Sequence, residues 1–453
     1  MADTVLLWLR QDLRLADQPA LLAAAAKGPV IPVYVLDDET PGEWRMGEAQ
    51  RWWLHASLNN LDAALRERGS RLVLRRGAAA STVARLLDEA GAARVHAIRH
   101  YEPWWRDAEA ALGARLVLHD GNHLARIEDV RTGAGAPFRV YAPFWRALQA
   151  KMPPDAPLPA PDRIAAPARW PASDRLDDWG LLPRRDWAAA FANDWTPGEA
   201  AAQDRARAFA GRVDAYAEAR NLPAVEGSSR LSPHLHFGEI SPRAVWHAVD
   251  GHPHADKFLS ELAWRDFTDG AVMTMPDYSW KNGRPKYDAL KWRDDASARA
   301  DLKAWQRGRT GYPIVDAGMR QLWTTGWMPN RLRMIVASFL VKHLLIDWRA
   351  GERWFWDCLV DADYGNNSVN WQWVAGTGVD ANMFSRIMAP LTQSEKFDAG
   401  DYIRRWVPEL AGVPDPAIHD PDAHGLRPAD YPARIVGHRE GRERALAAAR
   451  ALG

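Results

Sequence analysis

A chain of 453 residues has room for two domains, each with a sizeable buried core. Its 58 Lys plus Arg balance 58 Asp plus Glu, so a nucleic-acid face would have to be a local patch. The single cysteine, Cys358, excludes an internal disulfide and a cysteine-ligated iron–sulfur cluster. No apolar run is long enough to span a bilayer, and the opening MADTVLLWLRQDLRLAD meets charge too soon for a secretory leader. A soluble, cytoplasmic protein without membrane contact is expected. The compositional outlier is the count of 24 tryptophans, most of which must simply fill space.

Over residues 1–130, VLLWLR, VIPVYVL, RLVLRRG, RVHAIRHY and ARLVLHD read as strands. Residues 17–26, 47–68, 81–90 and 103–112 read as helices between them. The alternation predicts an α/β, doubly wound parallel sheet. No G-x-G-x-x-G follows the first strand, so a dinucleotide site is not indicated there. Residues 131–195 include MPPDAPLPAPDRIAAPARWPA, too rich in proline for a helix or a central strand. An extended connector over the surface is expected, with no role beyond tethering.

From residue 196 to 453 strand-like runs almost vanish, which predicts an all-α domain. Thr196-Pro197-Gly198-Glu199 has the form of a helix start, with Thr as the cap of a helix reaching Arg220. Ser232-Pro233 and Ser241-Pro242 repeat the signal. VEGSSRLSPHLHFGEIS offers hydroxyls, unpaired N–H groups and Arg230, a combination that suits an anion but is equally a plain capped loop. In FLSELAWRDFTDGAV, Glu261, Trp264, Arg265 and Thr268 fall on one side of a helix. Helical periodicity runs from Pro313 to Trp348. Arg331 and Arg333 sit on different faces, so one turns inward, with Asp361 or Asp363 as carboxylate partner.

The blocks TGYPIVDAGMRQL, NRLRM, SFLVKHLLIDWR and WQW resemble the DNA photolyase/cryptochrome family, in particular class I photolyases acting on cyclobutane pyrimidine dimers. The resemblance extends from about residue 4 to about residue 440. It implies a helical half that holds FAD. Tyr216, Ser228, Ser229, Arg230, Leu231 and Ser232 would contact the cofactor, together with Asn330, Arg333, Asp361, Ala362, Asp363 and Asn367. Asn367 matches the position facing flavin N5, where plant cryptochromes carry Asp. Glu261, Asn330 and Met334 would act on the dimer, and Trp264 and Trp373 would wall it. Trp371, Trp348 and Trp292 match the electron-transfer chain that reduces oxidised flavin. Arg220, Arg265, Arg331 and Arg386 would meet UV-damaged DNA.

The resemblance also implies that the first domain is an antenna domain holding a pterin (methenyltetrahydrofolate) or a deazaflavin. Glu102 matches a pterin-contacting acid, although a solvated loop carboxylate is the plainer reading, and Trp44 stands where some relatives carry His. The activity implied is light-driven repair by a deoxyribodipyrimidine photo-lyase, a monomer without an obligate protein partner. The rivals are a (6-4) photolyase, which places histidine where Asn330 and Met334 stand, and a cryptochrome photoreceptor. Asn367 and the lack of a long polar tail speak against the photoreceptor.

Overall fold

The computed structural model describes residues 3–184, 186–381 and 387–452; Arg386, expected on the DNA face, lies outside them. Five strands open the chain: β1 (Val5–Leu9), β2 (Val30–Leu36), β3 (Val73–Arg76), β4 (Val95–Ile98) and β5 (Leu116–His119). They form one sheet in the order β3-β2-β1-β4-β5, with every pair parallel. Helices α1 (Pro19–Ala25), α2 (Glu48–Glu67), α3 (Ala79–Ala90) and α4 (Pro103–Leu112) link the strands. Alternate residues of β1 serve opposite cores. Leu7 and Leu9 pack with Leu21, Trp53 and Leu54, while Leu6 and Trp8 pack with Val83, Leu87 and Ala108. A sheet buried on both faces reads as unbroken apolar runs, which is why its strands are plain in the sequence.

The strand order reverses at β1, where open α/β sheets usually place a ligand. Here the loop after β1 grips the helical half of the chain instead. Arg14 is 1% exposed and donates to Asn122 Oδ1 and to the carbonyls of Gly121 and Gly238. Gly238 has φ +63°, and a Cβ there would lie 2.1 Å from the Gln11 carbonyl oxygen. Only glycine lets the two backbones approach so closely. The Glu199 carboxylate accepts from the N–H groups of Leu15 and Ala16, both at 2.8 Å.

That contact corrects the expected helix start. The helix begins at Glu199 with no side-chain cap, and the Glu199 carboxylate accepts from the loop after β1 as well as from Gln203 Nε2 at 3.3 Å in its own helix. It ends at Ala210 rather than Arg220, and a separate single turn, Tyr216–Ala219, follows. At Ser232 the side chain does not cap its short helix, whereas Ser241 does, accepting from the Ala244 N–H at 3.0 Å.

The two halves share core. Leu9, Trp53 and Leu54 lie in one apolar cluster with Trp195, Phe237, Trp327 and Val360. Helix α2 abuts the Trp348–Cys358 helix at Gly47, where a Cβ would meet the Trp356 carbonyl oxygen at 2.3 Å. Gln50 donates to that same oxygen at 3.0 Å.

The connector is not extended throughout, because residues Tyr141–Gln149 form a helix that buries Phe144 and Leu148. Beyond it the proline-rich stretch wraps the sheet unit through backbone bonds. The Val30 N–H donates to Ala165 O, the Ile164 N–H to Arg68 O and the Asp174 N–H to Leu74 O, each at 2.9 Å.

Among the described residues, no strand follows His119. The site is framed by helices Asp256–Thr274, Pro313–Thr325, Asn330–Ser338, Trp348–Cys358 and Tyr364–Ala375. The periodic run from Pro313 to Trp348 is not one helix. It breaks at Gly326 (φ +68°) and Pro329, and then widens into a π-helical turn over Phe339–His343.

Replacing Glu199 with Ala would leave two partly or fully buried N–H donors without partners. We expect Glu199→Ala to lower stability by roughly 2–4 kcal/mol, read as a shift in the denaturant midpoint.

Candidate active site

The loop after Tyr216–Ala219 is shaped by close backbone approach. A Cβ on Gly227 would lie 2.2 Å from the Ala219 carbonyl oxygen, so the chain folds back on itself there. Arg230 adopts φ +52° and spreads its guanidinium over Trp195 at 4.3 Å and Trp327 at 5.1 Å. The N–H of Leu231 donates to Ser229 Oγ at 3.3 Å, and Ser232 Oγ accepts from Trp327 Nε1 at 3.3 Å. A cleft of about 210 Å³ opens beside this loop, lined by Arg220, Ser228, Arg230, Trp327, Pro329 and Tyr402. The expected phosphate loop therefore presents the Ser228 hydroxyl and Arg230 at an open cleft, with Arg230 paired to Asp194 at 3.6 Å and Glu226 at 3.4 Å, so a diphosphate would have to compete with these carboxylates for it.

Arg333 is the inward arginine. It donates to Asp361 Oδ2 at 2.8 Å and to the Met328 carbonyl at 3.0 Å. Asp361 Oδ1 is buried without a protein partner, which leaves an acceptor for a bound group. Ala362 is buried between Asp361 and Asp363.

Asp363 caps the Tyr364–Ala375 helix, accepting from the Asn366 N–H at 2.7 Å. Burial pushes the pKa of this carboxyl up. The His236 imidazole 4.0 Å away, Arg265 and the Asn366 N–H outweigh burial together and hold it well below the ordinary carboxylate range.

Asn367 lies one position beyond Asn366, and its side chain is buried. Its amide nitrogen donates to the Glu352 carbonyl oxygen at 3.1 Å, which fixes the amide and leaves its oxygen as the acceptor. Glu352 itself is fully buried. Its Oε1 accepts from Ser279 at 2.8 Å, and burial drives its pKa well above the usual value.

The expected lesion-binding residues sit on three helices, Asp256–Thr274, Asn330–Ser338 and Tyr364–Ala375. Glu261 receives Arg220 Nη1 at 2.9 Å and Lys257 Nζ at 2.5 Å. Asn330 and Met334 are one turn apart, with Asn330 Nδ2 3.9 Å from the thioether sulfur. Trp264 is half-buried on the turn after Glu261, and Trp373 is half-buried on the Tyr364–Ala375 helix that carries Asn367. The cations expected to meet phosphate are engaged within the protein. Arg220 holds Glu261, Arg331 donates to Asn221 Oδ1 at 2.7 Å, and Arg265 donates to the Leu235 carbonyl at 3.2 Å. Tyr216 packs edge-on against Phe258, with Arg220 above its ring.

Of the three chain tryptophans, Trp371 and Trp348 are buried, while Trp292 is half-buried against Tyr287, Leu290 and the C-terminal helix. The ring neighbours of Trp371 are Phe355 at 4.9 Å and Trp305 at 6.3 Å, rather than Trp348. Its approach to the Trp348–Cys358 helix depends on Gly351, where a Cβ would lie 2.2 Å from Trp371 Cη2.

Sequence reading missed His236, Glu352 and Gly351. His236 sits in the segment read as a capped loop, where the hydroxyls and Arg230 drew the reading, and Gly351 and Glu352 lie past the periodic run that ends at Trp348. Glu102 is neither solvated nor at a loop tip. It is 7% exposed, and burial together with Asp363 pushes its pKa up. Trp44 is packed edge-on against Trp280, Trp356 and Tyr364.

Gly351→Ala is expected to cost about 1–3 kcal/mol through overpacking, seen as a lower melting midpoint and altered tryptophan fluorescence. The depressed pKa of Asp363 gives stability that is fully present above the unfolded carboxyl value and lost as pH falls through the lower folded value. The melting gap between wild type and Asp363→Asn should therefore hold steady down to about pH 5 and close below about pH 4.

Comparison with known proteins agrees with this geometry. Residues 5–162 match the family model for DNA photolyase, and residues 258–451 match that for the FAD binding domain of DNA photolyase. The deoxyribodipyrimidine photo-lyase of Agrobacterium fabrum is 47% identical, over 98% of this chain and 97% of that protein. Cryptochrome-1 of Arabidopsis thaliana is 35% identical, over 97% of this chain and 69% of that protein. A crystal structure of a bacterial class III photolyase from Agrobacterium tumefaciens superposes with a TM-score of 0.94 at 46% identity, covering 100% of this chain and 98% of that one. The class I subdivision expected from the sequence blocks is not carried by these names, and the solved structure is described as class III. Motif order, strand topology and these likenesses together establish that the chain belongs to the DNA photolyase/cryptochrome family.

Proposed function

We propose that this protein is a deoxyribodipyrimidine photo-lyase that binds FAD and uses light to split cyclobutane pyrimidine dimers in DNA. The observation that carries the reading is the placement of Asn367. Its amide is locked by the Glu352 carbonyl, on the helix that bears Trp371 and Trp373. A neutral amide so held offers its oxygen to an N–H and adds no charge, which suits flavin N5 in its reduced form. The relatives named as photo-lyases support the same reading across nearly the whole chain.

When bound, reduced FAD supplies a photoexcited electron to the lesion and recovers it once the two carbon–carbon bonds joining the pyrimidines have parted. The chain's own residues do the rest. Arg333 with Asp361 fixes one side of the cofactor cradle, and the Asp361 oxygen without a protein partner accepts from the bound group. Ser228, Ser229 and Arg230 would hold the diphosphate. Trp264 and Trp373 bracket the flipped pyrimidines and keep water away. Glu261, held by Arg220 and Lys257, stands one turn from Trp264, within reach of a pyrimidine carbonyl where negative charge gathers. Arg220 is then a lock on Glu261 before DNA binds, and phosphate competes for it. Trp371 would be the donor that reduces an oxidised flavin, to be restored in turn by an electron from outside the protein.

A photoreceptor is the second reading, favoured by the likeness to cryptochrome-1. Blue-light exposure of dimer-bearing oligothymidine with the fully reduced holoprotein separates the two. Loss of dimers is expected, and intact dimers would refute repair. Glu261→Ala should cut repair yield sharply with bound FAD unchanged. Trp371→Phe should abolish photoreduction of oxidised flavin and leave repair intact once the flavin is chemically reduced.

A further inference from the structure

The connector supplies an aromatic ring to the pocket wall. Tyr141, the first residue of the connector helix, lies face to face with Trp264 at a centroid distance of 3.9 Å and an interplanar angle of 9°. Phe267 meets both rings edge-on, at 5.3 Å from Trp264 and 5.6 Å from Tyr141. A parallel pair this close is not the arrangement that ring quadrupoles prefer when free to choose. Polar anchors impose it. The Tyr141 hydroxyl donates to the Ser260 carbonyl and lies 3.0 Å from Ser260 Oγ, on the residue directly before Glu261. At the other end, the Tyr141 N–H donates to the Asp380 carboxylate at 3.0 Å. The ring is thus tied to the lesion-binding helix and to the loop that follows the Tyr364–Ala375 helix.

We infer that Tyr141 is a positioning residue for the substrate: it backs one face of Trp264, so that the indole offers its other face, in a fixed plane, to a flipped pyrimidine. The inference rests on the reading of this pocket as the dimer site. Without a ring behind it, Trp264 would keep its edge contact with Phe267 but lose the constraint on its tilt. The surroundings suit a polyanion. From residue 130 to 154 the connector carries Arg131, Arg139, Arg146 and Lys151 and no acidic residue, and Arg139 and Arg146 are exposed.

The test uses full-length, FAD-loaded protein in the dark, titrated with labelled oligothymidine with or without a single cyclobutane dimer. Tyr141→Leu should weaken binding of the dimer strand about tenfold, the scale of one stacking contact. Binding of the undamaged strand, FAD content and the melting midpoint should stay as in wild type. Tyr141→Phe keeps the ring and the backbone anchor to Asp380 but loses the hydroxyl anchor to Ser260, so its discrimination should fall between wild type and Tyr141→Leu. If Tyr141→Leu lowers the melting midpoint, Tyr141→Met, of similar bulk and without a ring, takes its place. Wild-type discrimination retained by the ringless variant would overturn the inference alone, as would an equal loss on both strands. A wild-type protein that binds both strands equally would overturn the repair reading itself, and this inference with it.

Discussion

A buried carboxylate kept charged is the constraint on which the catalytic half depends. Asp363 begins the helix that carries Asn367, Trp371 and Trp373, so its cap sets where all three side chains point. Removal from water works against its ionised form. Neighbours from separate elements compensate: His236 from the Ser232–His236 turn, Arg265 from the Asp256–Thr274 helix, and the Asn366 N–H of the helix's own first turn. Burial first, and then the Asp363 charge, push the carboxyl pKa values of Glu102 and Asp269 up. The sheet domain therefore does more than sit beside the helical one, since its Glu102 feels the charge of Asp363 at the start of the Tyr364–Ala375 helix.

The sheet was legible in the sequence because strands buried on both faces announce themselves as apolar runs, and β1 and β2 are apolar at nearly every position. The helix ends were less so. Glu199 looks like a residue of its own first turn, and only the folded chain shows that its carboxylate serves Leu15 and Ala16, over 180 positions away. Local propensity carries no information about such a partner. The periodic run after Pro313 likewise hid two breaks, because apolar spacing continues across Gly326 and Pro329 although the helix axis does not.

Candidate site residues were legible through ordered blocks, and the structure brings many of them together: Arg333 on Asp361, Asn330 beside Met334, Asn367 beyond its Asp363 cap. What stayed hidden was the support beneath them. The Glu352 backbone orients Asn367, and the bare backbone of Gly351 admits Trp371. Neither contribution uses a side chain with recognisable chemistry, so no residue type could have signalled it. The cations point to a further limit. A motif names Arg220 and Arg331 as phosphate contacts, yet the folded protein pairs them with Glu261 and Asn221. Type and position do not reveal whom an arginine greets before its ligand arrives.

The proline-rich wrapping has a consequence for solubility. Strand β3 lies at the margin of the sheet, where unpaired backbone groups invite a foreign strand. Leu74 at its centre is already occupied, its N–H by the Ser173 hydroxyl and its carbonyl by the Asp174 N–H. A stretch that looks like idle tether thus acts as a selvedge, closing the open border of the sheet against other chains.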